Sequence, residues 1–507
     1  MSRLIDALRV HAQQRPEAPA LESGASRLSY RELDSAIEAV SEELRQRQCR
    51  RVALLADNGL AWAVAELATL KLELPCVPLP PFFSIGQMAH ALRSAGADTL
   101  LVDAALPLPP PLGELPSSPL ASGPAAIAGA LRVLQLPLGP STVALHRGTR
   151  KITYTSGTTG EPKGVCLGIE EQERVAAALL QASGADSESR HLCVLPLSTL
   201  LENIGGLYAP LLAGATACLP PLAEVGLSGA SQLDVRKLLA AIITSRATSV
   251  ILVPQMLLAL VSAIEAGLPR PASLRFIAVG GASVSPRLLQ RASALGLPVF
   301  EGYGLSECSS VVALNQAGAQ RPDSVGKPLP HVRIRIAGDG EILVSGNGFR
   351  GYVGEPPHDG EQAVATGDIG HLDEDGFLHV TGRKKNVFVT SFGRNVSPEW
   401  VERELCLHPA IAQAAVFGEA APFNVAVIVA RGPGVQAAID AVNRDLPDYA
   451  RVREWIAASA PFSPANDQGT ANGRLRRPQI RAAYAAAIEQ RYRESTVSPF
   501  SEQEARA

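Results

Sequence analysis

Short apolar runs alternate with helical stretches between residues 190 and 300, and this alternation constrains the fold more than any other feature of the sequence. Runs of about five apolar residues separated by helices are typical of buried strands in a parallel sheet with helices on both faces. The runs lie at 191–195, 215–219, 249–253 and 275–279. The sequence therefore predicts an α/β fold with doubly covered, mostly parallel sheets.

The N-terminal residues follow the same order of strand and helix. Ser29 and Glu32 form a capping-box pattern, which predicts a helix that continues to Glu43. A short apolar run at 51–56 precedes the next helical stretch. By contrast, residues 106–140 are rich in proline and small residues, which predicts a surface connection without regular elements.

The pattern changes in the C-terminal third of the chain. Beyond Pro330, alternating runs at 332–336 and 341–344 are separated by glycine-containing turns, which predicts the hairpins of a small β-subdomain. A further boundary is predicted near Thr381. A chain of 507 residues is long enough for two or three domains.

Composition argues against several classes of function. The formal net charge of -3 provides no overall positive field, so we expect no nucleic-acid partner. The seven cysteines include no CxxC pair, which predicts reduced thiols rather than a disulfide framework or a zinc site. Residues 1–16 lack the apolar core of a signal peptide, and the most apolar stretch, 250–264, is interrupted by Pro254. We therefore expect a cytoplasmic protein without a transmembrane segment.

A loop rich in glycines and hydroxyls indicates phosphate binding. It lies within KITYTSGTTGEPKGV at 151–165, directly after an apolar run. Backbone N–H groups at its glycines, its hydroxyl side chains and the Lys163 ammonium are together suited to neutralise a triphosphate. The loop is not a Walker A motif, because the Gly-Lys-Ser/Thr ending is missing.

The segment TYTSGTTGEPKGV resembles the signature loop of the adenylate-forming (ANL) superfamily, which contains acyl-CoA synthetases, carrier-protein adenylation domains and luciferases. Further segments resemble the same family in the same order, from Leu28 to the region of Arg474. The resemblance implies that the loop binds ATP and that Lys163 is catalytic. The implied nucleotide-binding residues of the loop are Thr155, Ser156, Gly157, Thr158, Thr159 and Gly160.

Two later segments are similar to the adenine and metal motifs of this family. Residues 280–283 resemble its adenine-facing turn, and EGYGLSE at 301–307 resembles its GYGMTE motif. By this resemblance Tyr303 stacks on adenine, Ser306 holds the α-phosphate and Glu307 binds magnesium, which prefers oxygen ligands. The remaining residues that these motifs assign to the nucleotide are Gly281, Ala282, Glu301 and Gly304.

The ribose and a hinge are assigned by two more segments. Thr-Gly-Asp ending at Asp368 fits the family's TGD motif, whose aspartate binds the ribose hydroxyls. GRKKN from Gly382 fits the family's hinge motif, so Arg383 is implied to reach the ribose and Lys385 to be the pivot. The implied domains are an N-terminal domain at 1–381, a hinge at 382–385 and a small, mobile α+β domain at 386–507. In the family this small domain rotates, and the loop around Gly393 would then serve the thiol step.

One departure from the family pattern lies near the C-terminus. Family members usually have a lysine in an NGK motif that bridges the substrate carboxylate and the α-phosphate, whereas this chain has Asn472-Gly473-Arg474. Arginine keeps the charge, but its head is larger and its donors are placed differently. Our hypothesis is that Arg474 is catalytic in adenylation, and the alternative is a general preference of this chain for arginine over lysine.

The resemblance implies an acid–thiol ligase that uses ATP and Mg²⁺ to convert a carboxylic acid into an acyl-adenylate. The acyl group then passes to the thiol of coenzyme A, with release of AMP and pyrophosphate. Such a reaction depends on positioning and charge neutralisation and needs no enzyme nucleophile. Two alternatives stay open: loading of the phosphopantetheine of an acyl carrier protein, and a catalytically impaired protein that binds acyl groups or nucleotides.

The segment at 195–203 gives information about the acid. It lacks the aspartate that holds the ammonium group of α-amino acids in adenylation domains, so an amino acid is not expected. The segment from Thr381 looks most like medium- and long-chain fatty acyl-CoA synthetases, which implies a hydrophobic substrate such as a fatty acid. Many acyl-CoA synthetases have histidine in place of Thr199. The residues predicted for the acyl pocket are Thr199, Asn203 and Gly280.

Overall fold

The computed structural model describes residues 2–108, 110, 112–137, 143–155, 162–228, 232–359, 362–470 and 473–497. The helices are α1 (Arg3–Gln14), α2 (Tyr30–Gln46), α3 (Leu60–Lys71), α4 (Ile85–Ala95), α5 (Ile169–Ser183), α6 (Leu200–Glu202), α7 (Ala209–Ala213), α8 (Val235–Thr244), α9 (Pro254–Glu265), α10 (Pro286–Ala294), α11 (Pro398–Cys406), α12 (Val435–Asn443) and α13 (Arg477–Val497). A π-helical segment, Asn203–Tyr208, joins α6 to α7.

The strands of the first half of the chain are β1 (Pro19–Ser23), β2 (Ser26–Ser29), β3 (Val52–Leu55), β4 (Cys76–Pro78), β5 (Thr99–Asp103), β6 (Ser117–Pro119), β7 (Leu131–Gln135), β8 (Lys151–Thr155), β9 (Lys163–Leu167), β10 (Arg190–Leu192), β11 (Thr216–Cys218), β12 (Leu227–Ser228), β13 (Gln232–Leu233) and β14 (Ser249–Leu252). Those of the second half are β15 (Phe276–Val279), β16 (Val299–Leu305), β17 (Ser310–Leu314), β18 (Lys327–Pro328), β19 (Arg333–Ile336), β20 (Glu341–Ser345), β21 (Gly351–Tyr352), β22 (Val364–Leu372), β23 (Leu378–Arg383), β24 (Phe388–Val389), β25 (Asn395–Val396), β26 (Ile411–Phe417), β27 (Asn424–Ala430) and β28 (Val452–Ala457).

Two large sheets form the N-terminal part. The first has the strand order β18-β17-β16-β15-β14-β10-β11-β1-β2, and its strands from β16 to β1 are parallel. The second has the order β21-β9-β8-β4-β3-β5-β7-β6 with a parallel centre from β8 to β5. The predicted α/β class with mostly parallel sheets is confirmed.

Helix α3 lies between these two sheets. It contacts β1 of the first sheet and both β3 and β4 of the second. Apolar residues surround the helix on every side, and Trp62 and Leu67 are fully buried. A helix that is hydrophobic all round is expected in this position, because burial on both sides removes its apolar surface from water.

Several local predictions are confirmed and one is wrong. The capping box of Ser29 and Glu32 opens α2, and the apolar stretch at 250–264 is the end of β14 followed by α9. Residues 106–140, however, contain β6 and β7, which continue the second sheet beyond β5. The surrounding prolines favoured the prediction of a loop, whereas short strands depend on pairing with a neighbour more than on their own composition.

The C-terminal part is built from smaller sheets. The antiparallel sheet β19-β20-β22-β23 contains the hairpin predicted from the runs at 332–336 and 341–344. The three-stranded sheet β26-β27-β28 has α11 and α12 packed around one hydrophobic core and α13 around another. These last elements agree with the predicted α+β composition of the C-terminal residues.

All seven cysteines are free thiols, as predicted. Among the helices of the described residues, none combines the length and the apolar character that a membrane crossing requires.

Candidate active site

A single cavity of about 2720 Å³ lies at the carboxyl ends of β14, β15 and β16, where the C-terminal residues cover the first sheet. In open parallel sheets, the carboxyl ends of the strands are the usual place for ligands. The predicted site residues that line the cavity are Thr155, Lys163, Thr199, Gly280, Gly281, Ala282, Glu301, Tyr303, Gly304, Ser306, Glu307, Asp368, Arg383, Lys385 and Arg474. Residues more than three hundred positions apart in sequence therefore meet at one place.

Strand β16 carries the central part of the site. It is parallel to β15 at its start and antiparallel to β17 at its end, so its last residues project beyond the parallel sheet into the cavity. Gly304 passes so close to the neighbouring backbone that a Cβ atom there would lie 1.6 Å from the Ser310 carbonyl oxygen. Only glycine fits at this point of the motif. Ser306 and Glu307 follow in a short 3₁₀ turn.

Asp368, Arg383 and Tyr303 form one hydrogen-bonded cluster. Asp368 and Arg383 face each other on β22 and β23, and Arg383 Nε lies 2.8 Å from Asp368 Oδ1. The Tyr303 hydroxyl donates to Asp368 Oδ2 at 2.5 Å. Burial raises the pKa of Asp368, while Arg383 lowers it. The cluster holds a carboxylate in a fixed orientation, with lone pairs available to a ligand in the cavity.

Glu307 and Lys163 are connected through a residue that the sequence did not single out. The Tyr352 hydroxyl donates to Glu307 Oε1 at 2.8 Å, and Lys163 Nζ lies 4.8 Å from the centre of the Tyr352 ring. Lys163 also pairs with Glu355 at 2.9 Å. Tyr352 is on β21, which pairs with the β9 strand that begins at Lys163. No sequence motif marks Tyr352, because its position depends on this pairing between distant segments.

Glu301 is a buried acid at the base of the cavity. Its carboxyl group accepts a hydrogen bond from the Val284 N–H at 3.2 Å, and its relative exposure is 7%. Burial raises the pKa of Glu301 from 4.5 to about 8, an effect that the Val284 hydrogen bond and Arg403 partly oppose. The acid is therefore mostly protonated at neutral pH.

This raised pKa predicts a pH dependence of stability. Because the pKa is higher in the folded than in the unfolded protein, the stabilisation is fully present below pH 4.5 and is lost as pH rises through about 8. Glu301→Gln mimics the protonated acid and should gain thermal stability relative to the wild type as pH rises from 4.5 to about 8. Melting temperatures measured across this range test the prediction. The exposed Glu374→Gln serves as the control, and parallel profiles of wild type and Glu301→Gln would contradict the assignment.

Arg474 reaches the cavity from the C-terminal residues. Two hydrogen bonds join it to Thr470: Thr470 N donates to Arg474 O at 2.7 Å, and Arg474 N donates to Thr470 Oγ1 at 3.0 Å. The guanidinium is open to the cavity, yet the surrounding protein desolvates it and so lowers its pKa. Arg383 lowers this pKa further, whereas Asp368 and Glu307 raise it. Arg474 thus lies among the charged groups that the motifs assign to the nucleotide.

Polar contacts join the C-terminal residues to the edge of the cavity. Arg403 Nη1 donates to Ser283 Oγ at 2.6 Å, within the predicted adenine turn. Ser285 Oγ donates to Glu404 at 3.3 Å, and Arg287 pairs with Asp445 at 2.5 Å. None of these contacts follows from a motif, because each depends on how the two parts of the chain pack.

Two predicted residues lie away from the cavity. Asn203 is 1% exposed and accepts a hydrogen bond from Lys151, which also pairs with Glu66 at 2.9 Å. Asn203 does not line the cavity, so the prediction that it belongs to the acyl pocket is corrected. Gly393 lies in a turn whose N–H donates to Thr390 O at 2.9 Å, outside the cavity lining. Five residues of the predicted phosphate loop fall outside the described residues: Ser156, Gly157, Thr158, Thr159 and Gly160.

An apolar branch of the cavity extends from Gly280 along β14 and β15. Its floor includes Ile251, Phe276 and Ala278. Leu179 of α5 and Gly205 of the π-helical segment line the opposite side. The cavity therefore combines a polar, charged region with a hydrophobic extension.

Comparison with known proteins identifies the family. A family model described as AMP-binding enzyme matches residues 8–353, which is more than half of the chain. The chain belongs to the AMP-binding enzyme family. A second family model, the AMP-binding enzyme C-terminal domain, matches residues 385–496. The family predicted from the sequence is confirmed, and the two matches contain the cavity residues from Lys163 to Glu307 and from Lys385 to Arg474, respectively.

Two relatives of this family member are named as a CoA synthase and a CoA ligase. Feruloyl-CoA synthase of an Amycolatopsis species is 30% identical over 437 residues, which cover 80% of this chain and 84% of the relative. The long-chain-fatty-acid–CoA ligase FadD15 of Mycobacterium bovis is 46% identical over 159 residues, which are 29% of this chain and only 26% of FadD15.

A solved structure agrees with the fold over nearly the whole chain. The o-succinylbenzoate CoA synthetase MenE of Bacillus subtilis, in complex with its acyl-adenylate intermediate OSB-AMP, has a TM-score of 0.75 and 25% identity. The alignment covers 94% of this chain and 97% of MenE. Because the relatives are named for chemically different acids, the likeness leaves the acid undecided.

Proposed function

We propose that this protein is an AMP-forming acid–thiol ligase that activates a hydrophobic carboxylic acid with ATP and transfers it to coenzyme A. The convergence of Lys163, Glu307 and Arg474 on one cavity with an apolar branch is the observation that carries this proposal. Its charged region suits a polyphosphate and its apolar branch suits an acyl group. The three relatives described above, each named as a CoA ligase, synthase or synthetase, support the same reaction.

The residues of the charged region can each be assigned to the ribose, the phosphates or the adenine of ATP. In this proposal Asp368 accepts hydrogen bonds from the ribose hydroxyls, with Arg383 and Tyr303 holding its carboxylate in place. Lys163 and Arg474 provide positive charge for the phosphates. The protonated Glu301 is available to the adenine side as a neutral donor or acceptor.

Glu307 fits the role of a magnesium ligand. Tyr352 donates to one of its oxygens, which orients the carboxylate and leaves the second oxygen free of that contact. Carboxylate oxygens are the ligands that magnesium prefers. When bound, Mg²⁺ would offset the charge that develops on the departing pyrophosphate.

The reaction then has two steps at one site. An oxygen of the substrate carboxylate attacks the α-phosphate of ATP, and Arg474 stabilises the charge that builds up as pyrophosphate leaves. The thiolate of coenzyme A next attacks the acyl carbon. The bond between the acyl carbon and the bridging oxygen breaks, and AMP leaves with that oxygen still bonded to phosphorus. We further propose that residues 386–507 act as a lid that turns about Lys385 and carries the Gly393 loop in for the second step.

The apolar branch favours a medium-length fatty acid or an acid of similar shape. Substrates without charge at the far end can fill such a branch and exclude water from the carboxylate. Thr199 lines the cavity and would border the acid.

A screen for AMP formation tests the proposed function. Purified protein is incubated with ATP, Mg²⁺ and a panel of carboxylic acids, with and without coenzyme A. We expect steady AMP formation with an apolar acid only when coenzyme A is present. Release of the adenylate by a phosphopantetheine-bearing carrier alone would favour carrier loading, and no AMP with any acid would contradict the proposal.

A further inference from the structure

The floor of the apolar branch is a face of the first sheet with regular geometry. Alternation along β14 places Ser249 and Ile251 on the same face, which continues toward Val253 at the carboxyl end. Ser249 pairs with His191 of β10 on one side and with Phe276 of β15 on the other. From Val253 back to Ser249 the branch follows four residues, or about 13 Å at the rise of a strand.

Helical backbone closes the opposite side of the branch. A Cβ atom at Gly205 would lie 2.7 Å from Ile251 Cδ1, so the π-helical segment comes very close to the sheet. Ala209 and Pro210 of α7 continue this wall. Gly205 thus packs directly against Ile251 at this point of the wall, and π-helical segments occur often at functional sites.

Polar side chains lie at the end of this otherwise apolar branch. Ser249 Oγ is 3.0 Å from His191 Nδ1, and His191 Nε2 is 3.0 Å from Glu202 Oε1. Both His191 and Ser249 line the cavity, while Glu202 is fully buried behind them. Burying three polar groups beside an apolar wall costs free energy unless each has a partner. A purely hydrophobic ligand cannot form a hydrogen bond with Ser249, His191 or Glu202.

One tautomer of His191 gives this hydrogen-bonded series a single direction of donation. Glu202 Oε2 accepts from the Leu195 N–H at 3.1 Å. In the tautomer whose Nε2–H donates to Glu202 Oε1, Nδ1 is the acceptor. The Ser249 hydroxyl donates its proton to Nδ1, and its oxygen lone pairs are free to accept from a ligand.

Close packing holds this arrangement in place. A Cβ atom at Gly206 would lie 2.3 Å from Glu202 Oε1 and 2.9 Å from His191 Nε2. Cys193 completes a group whose ligand atoms lie within 4.8 Å of one another, a spacing that suits a metal ion. Burial, however, raises the pKa of Cys193 well above its usual range, so the thiol stays protonated and is a poor metal ligand. The hydrogen-bonded chain explains the cluster better.

We propose that Ser249 binds a hydroxyl group at the far end of the acid, with His191 and Glu202 as positioning residues. This inference rests on the proposed ligase function and names its substrate class: medium-length carboxylic acids with a distal hydroxyl. With the carboxylate beside Gly280, the length of the branch matches an extended ω-hydroxydecanoyl chain. The ligand hydroxyl donates to Ser249 Oγ, so an ether oxygen in the same place lacks the required proton.

Matched acids test the proposal in the wild-type enzyme. Decanoic acid, its ω-hydroxy derivative and its ω-methoxy derivative are compared by kcat/KM for AMP formation with ATP, Mg²⁺ and coenzyme A. We expect the hydroxy acid to exceed both others by about five- to tenfold, the usual effect of one neutral hydrogen bond. Equal values for the three acids would overturn the inference while leaving the ligase function intact. No AMP with any of these three acids would overturn the inference, and the panel of other acids then decides separately whether the ligase function holds.

Ser249→Ala then assigns the effect to one side chain. The variant should lose the preference for the hydroxy acid, so that the ratio of kcat/KM between ω-hydroxydecanoic and decanoic acid falls to about one, because the acceptor of the ligand hydroxyl is removed. A general loss of stability lowers kcat/KM for both acids alike, so the ratio of the two kcat/KM values in one variant does not change. Ser183→Ala is the matched control, because Ser183 also lines the cavity but its Oγ already bonds to Leu180 O and Ala185 N. A ratio unchanged in Ser249→Ala would contradict the assignment.

Discussion

Arg474→Ala should lower acid-dependent exchange of pyrophosphate into ATP by about a hundredfold or more, the usual loss on removing one donor to a developing negative charge. Arg474 lines the cavity, and its pKa responds to Asp368 and Glu307, so its guanidinium lies among the groups proposed to hold ATP. Exchange measured without coenzyme A isolates the first step, which is the step that Arg474 is proposed to serve.

Two further variants test whether the lower exchange rate comes from the missing charge at position 474. Arg453→Ala removes an exposed arginine that packs over Phe423 in the same part of the chain, and its exchange rate should stay near the wild type. Arg474→Lys restores the residue usual in the family and should keep more activity than alanine, because the charge remains. An unchanged rate in Arg474→Ala would contradict the catalytic role and favour a compositional origin for this arginine.

Glu307→Gln should lower AMP formation by about a hundredfold and raise the Mg²⁺ concentration needed for half-maximal rate. Glutamine keeps the size of the side chain and an oxygen that can accept from Tyr352, but it removes the charge that attracts the cation. The measurement is the rate of AMP formation as a function of Mg²⁺ concentration at saturating ATP.

The exposed Glu170→Gln is the control for this experiment, since Glu170 pairs only loosely with Arg174 at 3.8 Å. Its Mg²⁺ dependence should follow the wild type. If Glu307→Gln shows the same Mg²⁺ dependence as the wild type and a loss confined to the maximal rate, Glu307 is not the magnesium ligand.

The sequence predicted those parts of the fold that depend on local pattern. The apolar runs at 249–253 and 275–279 became β14 and β15, and the capping box at Ser29 marks the start of α2. The sequence analysis missed β6 and β7, of which β7 pairs with β5 and β6 pairs with β7. The residues around them are rich in proline and small side chains, and the neighbouring strands supply the hydrogen bonds that make β6 and β7 strands.

The candidate site was predictable where a motif carries its residues within one segment. Glu301, Tyr303 and Glu307 come from a single motif and line one cavity. Asn203 was misassigned because burial turns its side chain toward Lys151. Tyr352 and Ser249 were missed, since each matters only through a partner far away in sequence, Glu307 and His191, respectively. Such pairs follow from packing and have no signature in a single sequence.

The most direct test of the central claim follows one oxygen atom through the reaction. The acid is labelled with heavy oxygen in its carboxylate, incubated with ATP, Mg²⁺ and coenzyme A, and the AMP is analysed by mass spectrometry. If the carboxylate attacks the α-phosphate, AMP retains one labelled oxygen after the thiol has taken the acyl group. Label in inorganic phosphate, or AMP without label, would contradict acyl-adenylate formation in this cavity.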